Sequence, residues 1–560
     1  MKKMTHPGLN RISQARSDLF YYLPLLVLIL IILLFGHPAY SANDDYAMMS
    51  IASGAIDGIP DAHLIFTNSL IGEALKGLYT LVKTVNWYTF YLLATGILSQ
   101  FLVLRAVLKV IRQQTVRLIA LAVLLIFSAS FLILFNFTTI AILTSFAGFC
   151  TLISETAAPS GKWWLKIVGV LLAVLGGLIR VQALLYTSIL MLPVILLLGR
   201  VRLKRILPWL AFLILLTVGT VVYDQASYAA HSDWQSFKTY THTRGEIHST
   251  AKMAFGENDA FLAGIGWTKA AYSLFDNWIF IDDQVFTLQS LEAINAAYSS
   301  SLQSLAGVAA TFGALLKLRW LEVILSLAVV GFSIFAFSRS GRRNLLVASA
   351  IPVYIMLVNI AVTVFLRMVD NIFYPSLFII AMLELGLMGV GTADKEFTRS
   401  ELRILEILLL AFLLIKSAGM ISIARQNRVN EVTAQSITQT VQQITGPRGT
   451  ALVILQASSF PDIWISAYSA AGLGFDALPT GWLINSPPYR HLLDRYGIGN
   501  PINAIGTRND VLYLGGNQQE IIDYLGQMKN IQVNARELVQ FEVNYKGHEQ
   551  IALTRYGKTK

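Results

Sequence analysis

The fold class is decided by residues 19–63, which read LFYYLPLLVLILIILLFG (19–36) and then HPAYSANDDYAMMSIASGAIDGIPDAH (37–63). The first part is an apolar run long enough to cross a bilayer core of ~30 Å as a helix. The second part is polar and carries two adjacent acids, Asp44 and Asp45. The sequence therefore places two carboxylates within a few residues of a predicted membrane surface.

The composition of the whole chain agrees with a membrane protein. Of its 560 residues, 55% are hydrophobic and 14% are charged, whereas a soluble protein carries about 25% charged residues. The net charge is +10, but the basic residues cluster in short loops between apolar runs, which indicates membrane topology and no nucleic-acid partner. Cys150 is the single cysteine, which excludes an internal disulfide and a thiolate metal cluster.

The apolar runs predict a mainly α polytopic membrane protein with about eleven spans. We expect spans at 19–36, 87–104, 118–136, 138–156, 166–179, 182–199, 206–222, 320–337, 344–366, 373–391 and 404–423. The first span is expected to be retained; cleavage as a signal peptide is the alternative. Residues 303–318 are expected to form an external interfacial helix, because their apolar run is short. If that segment spans, every later orientation inverts.

Loop charges orient the chain. With the N-terminus in the cytoplasm, every basic cluster falls in a cytoplasmic loop, as the positive-inside rule requires. These clusters are Lys2, Lys3, Arg11 and Arg16; Arg105, Lys109, Arg112 and Arg117; Lys162 and Lys166; Arg200, Arg202, Lys204 and Arg205; Arg339, Arg342 and Arg343; and Lys395, Arg399 and Arg403.

We predict two domains. Residues 1–424 form the membrane domain, with a first external loop (37–86) and a second large one (223–318). Residues 425–560 form an external soluble α/β domain. Its predicted elements are a polar helix at 425–445, strands at 451–455 and 510–516, a helix at 518–529, and a strand pair at 538–545 and 550–555. The first loop is expected to carry interfacial helices at 46–56 and 63–82.

The acids of the first loop are the predicted chemical centre. Asp44 and Asp45 repel each other, which can raise the pKa of one of them and suit it as a general base. The alternative is that Asn43, Asp44 or Asp45 caps a helix N-terminus. Asp57, before Gly58, is expected in a turn. Asp61 and His63 are predicted to bind an acceptor or a sugar, with capping of the second helix as the alternative.

Arginines at predicted external span ends are candidates for holding an anion. Arg180 follows the fifth span and Arg367 the ninth. Guanidinium groups match phosphate bidentately, and snorkelling to the interface is the alternative. Glu384, inside the tenth span, is a functional candidate because a carboxylate there is costly; a packing role is the alternative.

The second external loop is rich in aromatic residues and contains another acidic pair. Aromatic faces can stack on sugar rings or pack an interfacial helix. Trp278, Asp282 and Asp283 are predicted to bind the acceptor or sugar. The histidines of this loop fit no standard metal spacing. The aromatic residues are Trp234, Tyr240, Trp267, Tyr272, Trp278 and Phe280, and the histidines are His231, His242 and His248.

The layout resembles the GT-C-type integral membrane glycosyltransferases, among them oligosaccharyltransferases, protein mannosyltransferases, aminoarabinose transferases and arabinosyltransferases. The motif resemblance rests on Asn43-Asp44-Asp45-Tyr46 and, more loosely, on Arg367 ahead of Tyr374-Pro375. The acids here are adjacent instead of spaced as Asp-x-Asp, and the arginine does not abut the Tyr-Pro pair.

The resemblance implies a sugar transfer at the outer face of a bacterial plasma membrane. The donor would be a polyprenyl-phosphate-linked sugar, and the acceptor a glycan, lipid or protein. Asp44 or Asp45 would be the base, and Arg367 and Arg180 would hold the leaving phosphate. Some relatives require a divalent cation and others do not, so Mg²⁺ or Mn²⁺ stays open. The alternatives are a transporter or flippase of lipid-linked sugars, a polysaccharide polymerase, and a non-catalytic membrane scaffold.

Overall fold

The structure is a computed structural model that describes residues 7–111, 113–158, 161–250, 259–298, 305–338, 342–391, 399–469, 472–545 and 547–559. Several basic residues of the predicted topology lie outside the described residues: Lys2, Lys3, Arg112, Arg339 and Lys395. The same holds for the side chains of Arg11, Arg16, His248, Arg342, Arg343 and Arg399.

Helices make up most of the chain. In chain order they are α1 Pro7–Phe35, α2 Asn43–Ser53, α3 Ser69–Leu81, α4 Trp87–Val110, α5 Gln114–Ile133, α6 Phe137–Ala157, α7 Trp163–Ile179, α8 Val181–Leu197, α9 Gly199–Ala229, α10 Ser232–Thr250, α11 Asp259–Gly264, α12 Lys269–Asp276, α13 Leu288–Tyr298, α14 Leu305–Leu318, α15 Trp320–Ser338, α16 Arg342–Phe365, α17 Asp370–Gly391, α18 Arg399–Thr445, α19 Pro487–Tyr496, α20 Pro501–Thr507 and α21 Gln518–Lys529.

The predicted fold class is confirmed. Within the described residues, eight helices are long and apolar enough to cross a membrane, and shorter apolar helices coincide with the predicted spans in α1, α7 and α8. Leu305–Leu318 has 14 residues, which at ~1.5 Å per residue is shorter than a ~30 Å bilayer core. Its placement at the interface stays a prediction.

The chain divides into two compact units. The first contains residues 1–41, 90–221 and 303–428, and the second contains 42–89, 222–302 and 429–560. The second unit therefore joins the two predicted external loops with the C-terminal chain. Helix α18 runs for 47 residues without a break, so the predicted span at 404–423 and the polar helix at 425–445 are one helix. The sequence from 424 to 445 contains no glycine or proline that would end it.

Close packing of α6 on α7 forms much of the core of the first unit. A Cβ on Gly148 would lie 2.5 Å from the backbone nitrogen of Ala173, and one on Gly176 would lie 2.8 Å from the carbonyl oxygen of Ala141. Small residues let two helices approach closely where lipid gives no hydrophobic driving force. By contrast, α9 and α18 expose many apolar side chains, such as Leu215 and Leu414, as lipid-facing helices do.

The second unit contains a mixed five-stranded sheet in the order β4-β3-β5-β7-β6. Its strands are β3 Leu452–Leu455, β4 Asp476–Pro479, β5 Val511–Gly515, β6 Val533–Tyr545 and β7 His548–Lys558; β1 Ala39–Tyr40 and β2 Leu134–Phe135 form a small parallel pair in the first unit. Strands β4, β3 and β5 are parallel, whereas β7 is antiparallel to β5 and β6. Ile437 and Val441 of α18 pack on this sheet, which confirms the predicted α/β domain.

The helices of the first loop differ from the prediction in extent. Helix α2 ends at Gly54, which has φ 71°, so it stops before residue 56. The predicted second helix at 63–82 begins only at Ser69, with Asn68 as its N-cap. Ile65 has φ 69°, which a helix cannot accommodate. The proposal that Asp61 or His63 caps this helix is therefore wrong.

Candidate active site

The start of α2 is built without a side-chain cap. Its N-cap residue is Ala42, and Asp44 and Asp45 lie in the first turn. Asn43 turns away from the helix: its amide donates to the Ala457 carbonyl at 3.3 Å and accepts from the Tyr545 hydroxyl at 3.0 Å. The capping explanation for this motif is therefore wrong, although both carboxylates still gain from the positive end of the helix dipole.

The two acids of this turn have different surroundings. Asp45 is fully buried and accepts a hydrogen bond from the Tyr88 hydroxyl at 2.9 Å. The Tyr79 hydroxyl accepts from the Tyr88 backbone and donates to Asn86, which extends the network. Asp44 is half-buried, so its carboxylate keeps access to solvent. Of the two acids, Asp44 is therefore the one accessible to an acceptor.

Asp61 and His63, which the sequence analysis predicts to bind an acceptor or a sugar, contact each other and belong to a larger hydrogen-bond network. The Asp61 carboxylate lies 2.7 Å from His63 Nδ1 and accepts from the Trp234 indole at 3.2 Å. The His63 ring stacks on Trp234, and its Nε2 lies 3.2 Å from the Ser227 hydroxyl. Burial raises the pKa of Asp61, but the hydrogen bonds from His63 outweigh it and lower that pKa overall. Because His63 is buried and has contacts at both nitrogens, this pair fits a structural link better than a sugar site.

In the second acidic pair, as in the first, one carboxylate is buried and the other is accessible to solvent. Asp282 is fully buried between the Lys529 ammonium at 2.7 Å and the Tyr524 hydroxyl at 2.6 Å. Asp283 is exposed and accepts from Asn500 at 3.0 Å. Burial and the neighbouring Asp282 raise the pKa of Asp283. Asp282 is thus a packing residue, while Asp283 lines an open cavity of about 530 Å³.

Trp278 has an unusual backbone. Its φ is 60°, a conformation that is a genuine outlier for a bulky residue and one that concentrates at functional sites. Its ring is half-buried. Beside it lies Arg244, a fully buried arginine that sequence reasoning missed. The sequence gives no signal for Arg244, because it lies in the polar helix α10, where a charged residue is expected at the surface.

The structure gives no support for a metal site among the described residues, where no group of three or more His, Cys, Asp or Glu could hold an ion. His231 Nδ1 lies 3.0 Å from the Ser227 carbonyl, and His242 lies 3.5 Å from Glu246. The histidines therefore have separate local contacts. The question of Mg²⁺ or Mn²⁺ stays open.

In the first unit, the two predicted phosphate arginines differ. Arg180 follows α7, donates to the Thr138 hydroxyl and lies over the Phe137 ring, 5.0 Å from its centroid. Arg367 is exposed in the turn between α16 and α17. Of the two, Arg367 is the more accessible to an anion.

An arginine other than Arg367 contacts the Tyr374-Pro375 pair. Arg319 forms a bidentate ion pair with Asp370 and lies over the Tyr374 ring, 4.5 Å from its centroid. The Tyr374 hydroxyl donates to the Phe127 carbonyl at 2.8 Å. Sequence reasoning did not single out Arg319, although it is the arginine that contacts Tyr374.

An amphipathic groove of about 680 Å³ lies between α1, α5 and α18. Its walls are apolar, and its cations are the exposed Arg425 and Arg428 together with Lys416, whose ammonium pairs with the Glu322 carboxylate. His37, with φ 47°, lines the groove near the C-terminal end of α1, and its carbonyl accepts from Asn427 at 2.9 Å. An apolar chain that carries an anionic head matches this combination. The apolar lining includes Pro24, Val27, Leu28, Ile31, Ile32, Phe35, Leu125, Ile126, Ala129, Ile133, Leu413, Met420 and Ile421.

Sequence reasoning missed this groove, although a signal exists. Arg425 and Arg428 directly follow the last apolar run at a spacing of three, which places them on one helix face. They were assigned to a polar helix outside the membrane domain. The continuity of α18 brings that face next to the lipid-length apolar stretch.

Glu384 is fully buried within α17. Its Oε2 accepts from the Ser333 hydroxyl at 2.6 Å, and its Oε1 has no hydrogen-bond partner among the described residues. A packing role therefore fits the observed contacts at least as well as a transport role.

The sequence matches no protein-family model, and none of the curated proteins matches it. Among solved structures, the chain is similar to the crystal structure of ArnT from Cupriavidus metallidurans in the apo state, with 10% sequence identity and a TM-score of 0.42. The alignment covers 97% of this chain and 98% of that chain. At this identity and TM-score the likeness assigns no family and no activity, so the function has to be argued from the residues.

Proposed function

We propose that this protein is a membrane glycosyltransferase of the GT-C type. It would move a sugar from a polyprenyl-phosphate donor to a glycan, lipid or protein acceptor at the outer face of a bacterial plasma membrane. The observation that carries this proposal is the groove of about 680 Å³ with apolar walls and the cations Lys416, Arg425 and Arg428. Its volume lies in the range of ~300–1,000 Å³ typical of ligand sites.

The groove favours a lipid phosphate for a physical reason. An isoprenoid chain that enters from the bilayer exchanges lipid tails for Leu, Ile and Val side chains of similar polarity, so the apolar walls accept the chain at little cost. Its phosphate needs cations, and arginine offers bidentate hydrogen bonds to it. Arg425 and Arg428 are exposed, so their donors are accessible to a phosphate. Arg367 and Arg180 remain candidates for the same task.

The proposed reaction is a single displacement with Asp44 as general base. Asp44 accepts the proton of the acceptor hydroxyl, whose oxygen forms a bond to the anomeric carbon of the sugar. The bond between that carbon and the phosphate oxygen breaks, and polyprenyl phosphate leaves. Arginine stabilises the charge that develops on the phosphate, an electrostatic contribution that is commonly the largest in such catalysis. Inversion at the anomeric carbon is the expected outcome.

Reconstituted protein in lipid vesicles tests the proposal. A panel of polyprenyl-phosphate sugars is supplied together with candidate glycan and lipid acceptors, and release of free polyprenyl phosphate is followed. The double variant Arg425→Gln/Arg428→Gln is expected to raise the KM for the donor about 100-fold or more, because each lost charged hydrogen bond costs ~1.5–3 kcal/mol and ~1.4 kcal/mol corresponds to a factor of ten. Arg403→Gln, an exposed arginine of the same helix outside the groove, is the matched control.

A transporter of lipid-linked sugars is the second candidate, and Glu384 favours it. A fully buried carboxylate with one oxygen unpartnered in the described structure is costly inside a membrane span. If wild type moves a labelled lipid-linked sugar across vesicles without releasing polyprenyl phosphate, and Glu384→Gln stops that movement, transport replaces transfer as the function.

A further inference from the structure

The second unit contains a cavity of about 530 Å³ that the proposed reaction does not use. Three segments form it: α10, the turn at 283–288, and α19 with the loop that follows it. Its volume lies in the range of ~300–1,000 Å³ typical of ligand sites. Its lining combines packed aromatic residues with charged and amide side chains, so the chemistry of a ligand can be argued from it.

The aromatic residues form a rigid floor. Phe237 packs against Trp234 with 5.7 Å between ring centroids, and Phe286 packs against Trp267 with 5.2 Å. The Tyr240 hydroxyl donates to the Phe286 carbonyl at 3.0 Å, which ties α10 to the turn. The apolar side of the cavity is therefore fixed before a ligand arrives, which lowers the entropy lost on binding.

The rest of the lining is mainly polar and accessible. Asp283, Asp494 and Arg490 are exposed, and Asn485 is half-buried. Arg490 and Asp494 are four residues apart on α19, so they lie on one face of that helix. The cavity thus offers two carboxylates that accept hydrogen bonds, a guanidinium that donates them and an amide that does both.

Two of these polar groups are held in place by their surroundings. The Asn500 amide donates to Asp283 and to the buried Asp282, at 3.0 Å in each case. Asn485 directly precedes Ser486, the N-cap of α19, and has φ 66°, a left-handed backbone that asparagine tolerates better than most residues. The carboxylate and the amide are therefore positioned by the fold.

The mixture of groups distinguishes between classes of ligand. An anion would meet two carboxylates and a single guanidinium, and a metal ion would meet that guanidinium beside only two carboxylates. An apolar ligand would remove water from charged groups without replacing its hydrogen bonds. A neutral sugar avoids each of these costs, because its hydroxyls both donate and accept while its C–H groups pack on an apolar floor.

We propose that this cavity binds a neutral sugar unit of a glycan. Asp283 and Asp494 accept hydrogen bonds from its hydroxyls, and Arg490 and Asn485 donate to them. The role of the ligand rests on the proposed function, in which a glycan bound here is the acceptor. The inference narrows the acceptor from a glycan, lipid or protein to a glycan, and it identifies uncharged sugars as the preferred class.

Direct binding tests the site without any turnover. The full chain in lipid nanodiscs is titrated with neutral trisaccharides of glucose, mannose, galactose or N-acetylglucosamine and with trigalacturonate, and saturation-transfer difference NMR gives each Kd. At least one neutral trisaccharide should bind about tenfold or more tighter than trigalacturonate, whose carboxylates are repelled by Asp283 and Asp494. Tighter binding of trigalacturonate, or no binding of any neutral trisaccharide, would overturn the inference.

Gly499→Leu tests the location of the site by filling the cavity. Gly499 lines it, has a φ outside the left-handed region, and has open space where a Cβ would lie. The leucine takes space that a sugar ring needs, so the Kd of the neutral trisaccharide should rise about tenfold or more. Gly264→Leu, at another exposed glycine of this unit with open space around it, is the matched control. Equal Kd values in the two leucine variants would refute the location.

Asp283→Asn tests the hydrogen bonds to the sugar. It keeps the size of the side chain and removes a charged acceptor, so the affinity for the neutral trisaccharide should fall about tenfold. Trigalacturonate should lose less affinity, because the repulsion is removed as well. Asp276→Asn, at an exposed acid of the same unit outside the cavity, should bind as wild type. An Asp283→Asn variant with wild-type affinity for both trisaccharides would refute the role of Asp283.

Acceptor kinetics separate this inference from the proposed function. If wild type binds neutral trisaccharides but releases polyprenyl phosphate from no donor, the proposed function fails and the glycan site is retained. In an active enzyme, Gly499→Leu should raise the KM for a glycan acceptor about tenfold or more and leave the KM for the polyprenyl-phosphate donor unchanged. An unchanged acceptor KM in that variant would overturn the acceptor role of the site.

Discussion

Asp44→Asn should abolish activity and leave stability unchanged, whereas Asp45→Asn should lower stability and largely preserve activity. Asp44 is half-buried, and Asp44→Asn keeps the size and shape of the side chain while it removes the proposed base. Loss of a general base lowers kcat by ~10²–10⁴-fold. We therefore expect Asp44→Asn to fold as wild type does and to release almost no polyprenyl phosphate.

Asp45→Asn should act through the fold. Asp45 is fully buried and accepts the Tyr88 hydroxyl at 2.9 Å. A hydrogen bond to a charged group contributes ~1.5–3 kcal/mol, and an amide in this place can also leave a donor unsatisfied. We expect a lower thermal midpoint in detergent, with turnover per folded molecule reduced far less than in Asp44→Asn.

Tyr88→Phe is the matched control for the stability effect. It removes the same hydrogen bond from the other side and leaves both acids in place. If the bond accounts for the loss, the double variant Tyr88→Phe/Asp45→Asn should be less destabilised than the sum of the two single variants. A folded, stable Asp45→Asn that has lost turnover, together with an active Asp44→Asn, would refute the assignment of roles.

Three further predictions concern the rest of the chain. Asp282→Asn should destabilise the second unit by ~3–5 kcal/mol, since it leaves the largely buried Lys529 without its carboxylate; chemical denaturation measures this, and an unchanged midpoint would contradict it. Gly148→Leu should abolish folded protein in size-exclusion chromatography, because its Cβ alone would lie 2.5 Å from the Ala173 nitrogen, whereas Gly331→Leu, with open space around it, should be tolerated. The pKa of Asp61 is lower in the folded protein than in the unfolded chain, so its stabilising contribution is full above about pH 4 and is lost as the pH falls through the folded value. Asp61→Asn should therefore be less stable than wild type at neutral pH and show a smaller loss on acidification, and parallel pH curves would exclude this account.

The sequence predicted the membrane helices and four of the five strands of the C-terminal sheet, because their apolar residues follow a local periodicity; it missed β4, Asp476–Pro479. The helix predicted at 518–529 is Gln518–Lys529 in the structure, and the strand predicted at 451–455 is Leu452–Leu455. Local patterns predicted a helix end at residue 445, where α18 ends, but did not show that the span at 404–423 and the polar helix at 425–445 are continuous, since a change from apolar to polar residues does not break a helix. Nor could they show that Ile65 adopts a left-handed backbone, which only tertiary contacts enforce.

The sequence offers candidate site residues mainly through their position beside predicted spans. Asp44, Asp45 and Arg367 are candidates for that reason. Arg244 and Arg428 lie in polar sequence, where an arginine is ordinary, and Arg319 lies between two apolar helices without a motif to mark it. They become candidates through burial, through a place in an apolar groove and through an ion pair with Asp370. None of these is a property of the local sequence.

The geometry of a helix explains why the two adjacent acids have different surroundings. Successive residues are turned by about 100° around an α-helix, so neighbours in sequence do not face each other. In α2 this rotation sends Asp45 into the core, where Tyr88 holds it, and leaves Asp44 on the half-exposed side. Adjacency is then a way to fix a helix and present a base within a single turn. An Asp44→Glu variant, which moves the carboxylate outward by one methylene, should retain folding and lose turnover, while Asp45→Glu should lose stability because the buried site has no room for it.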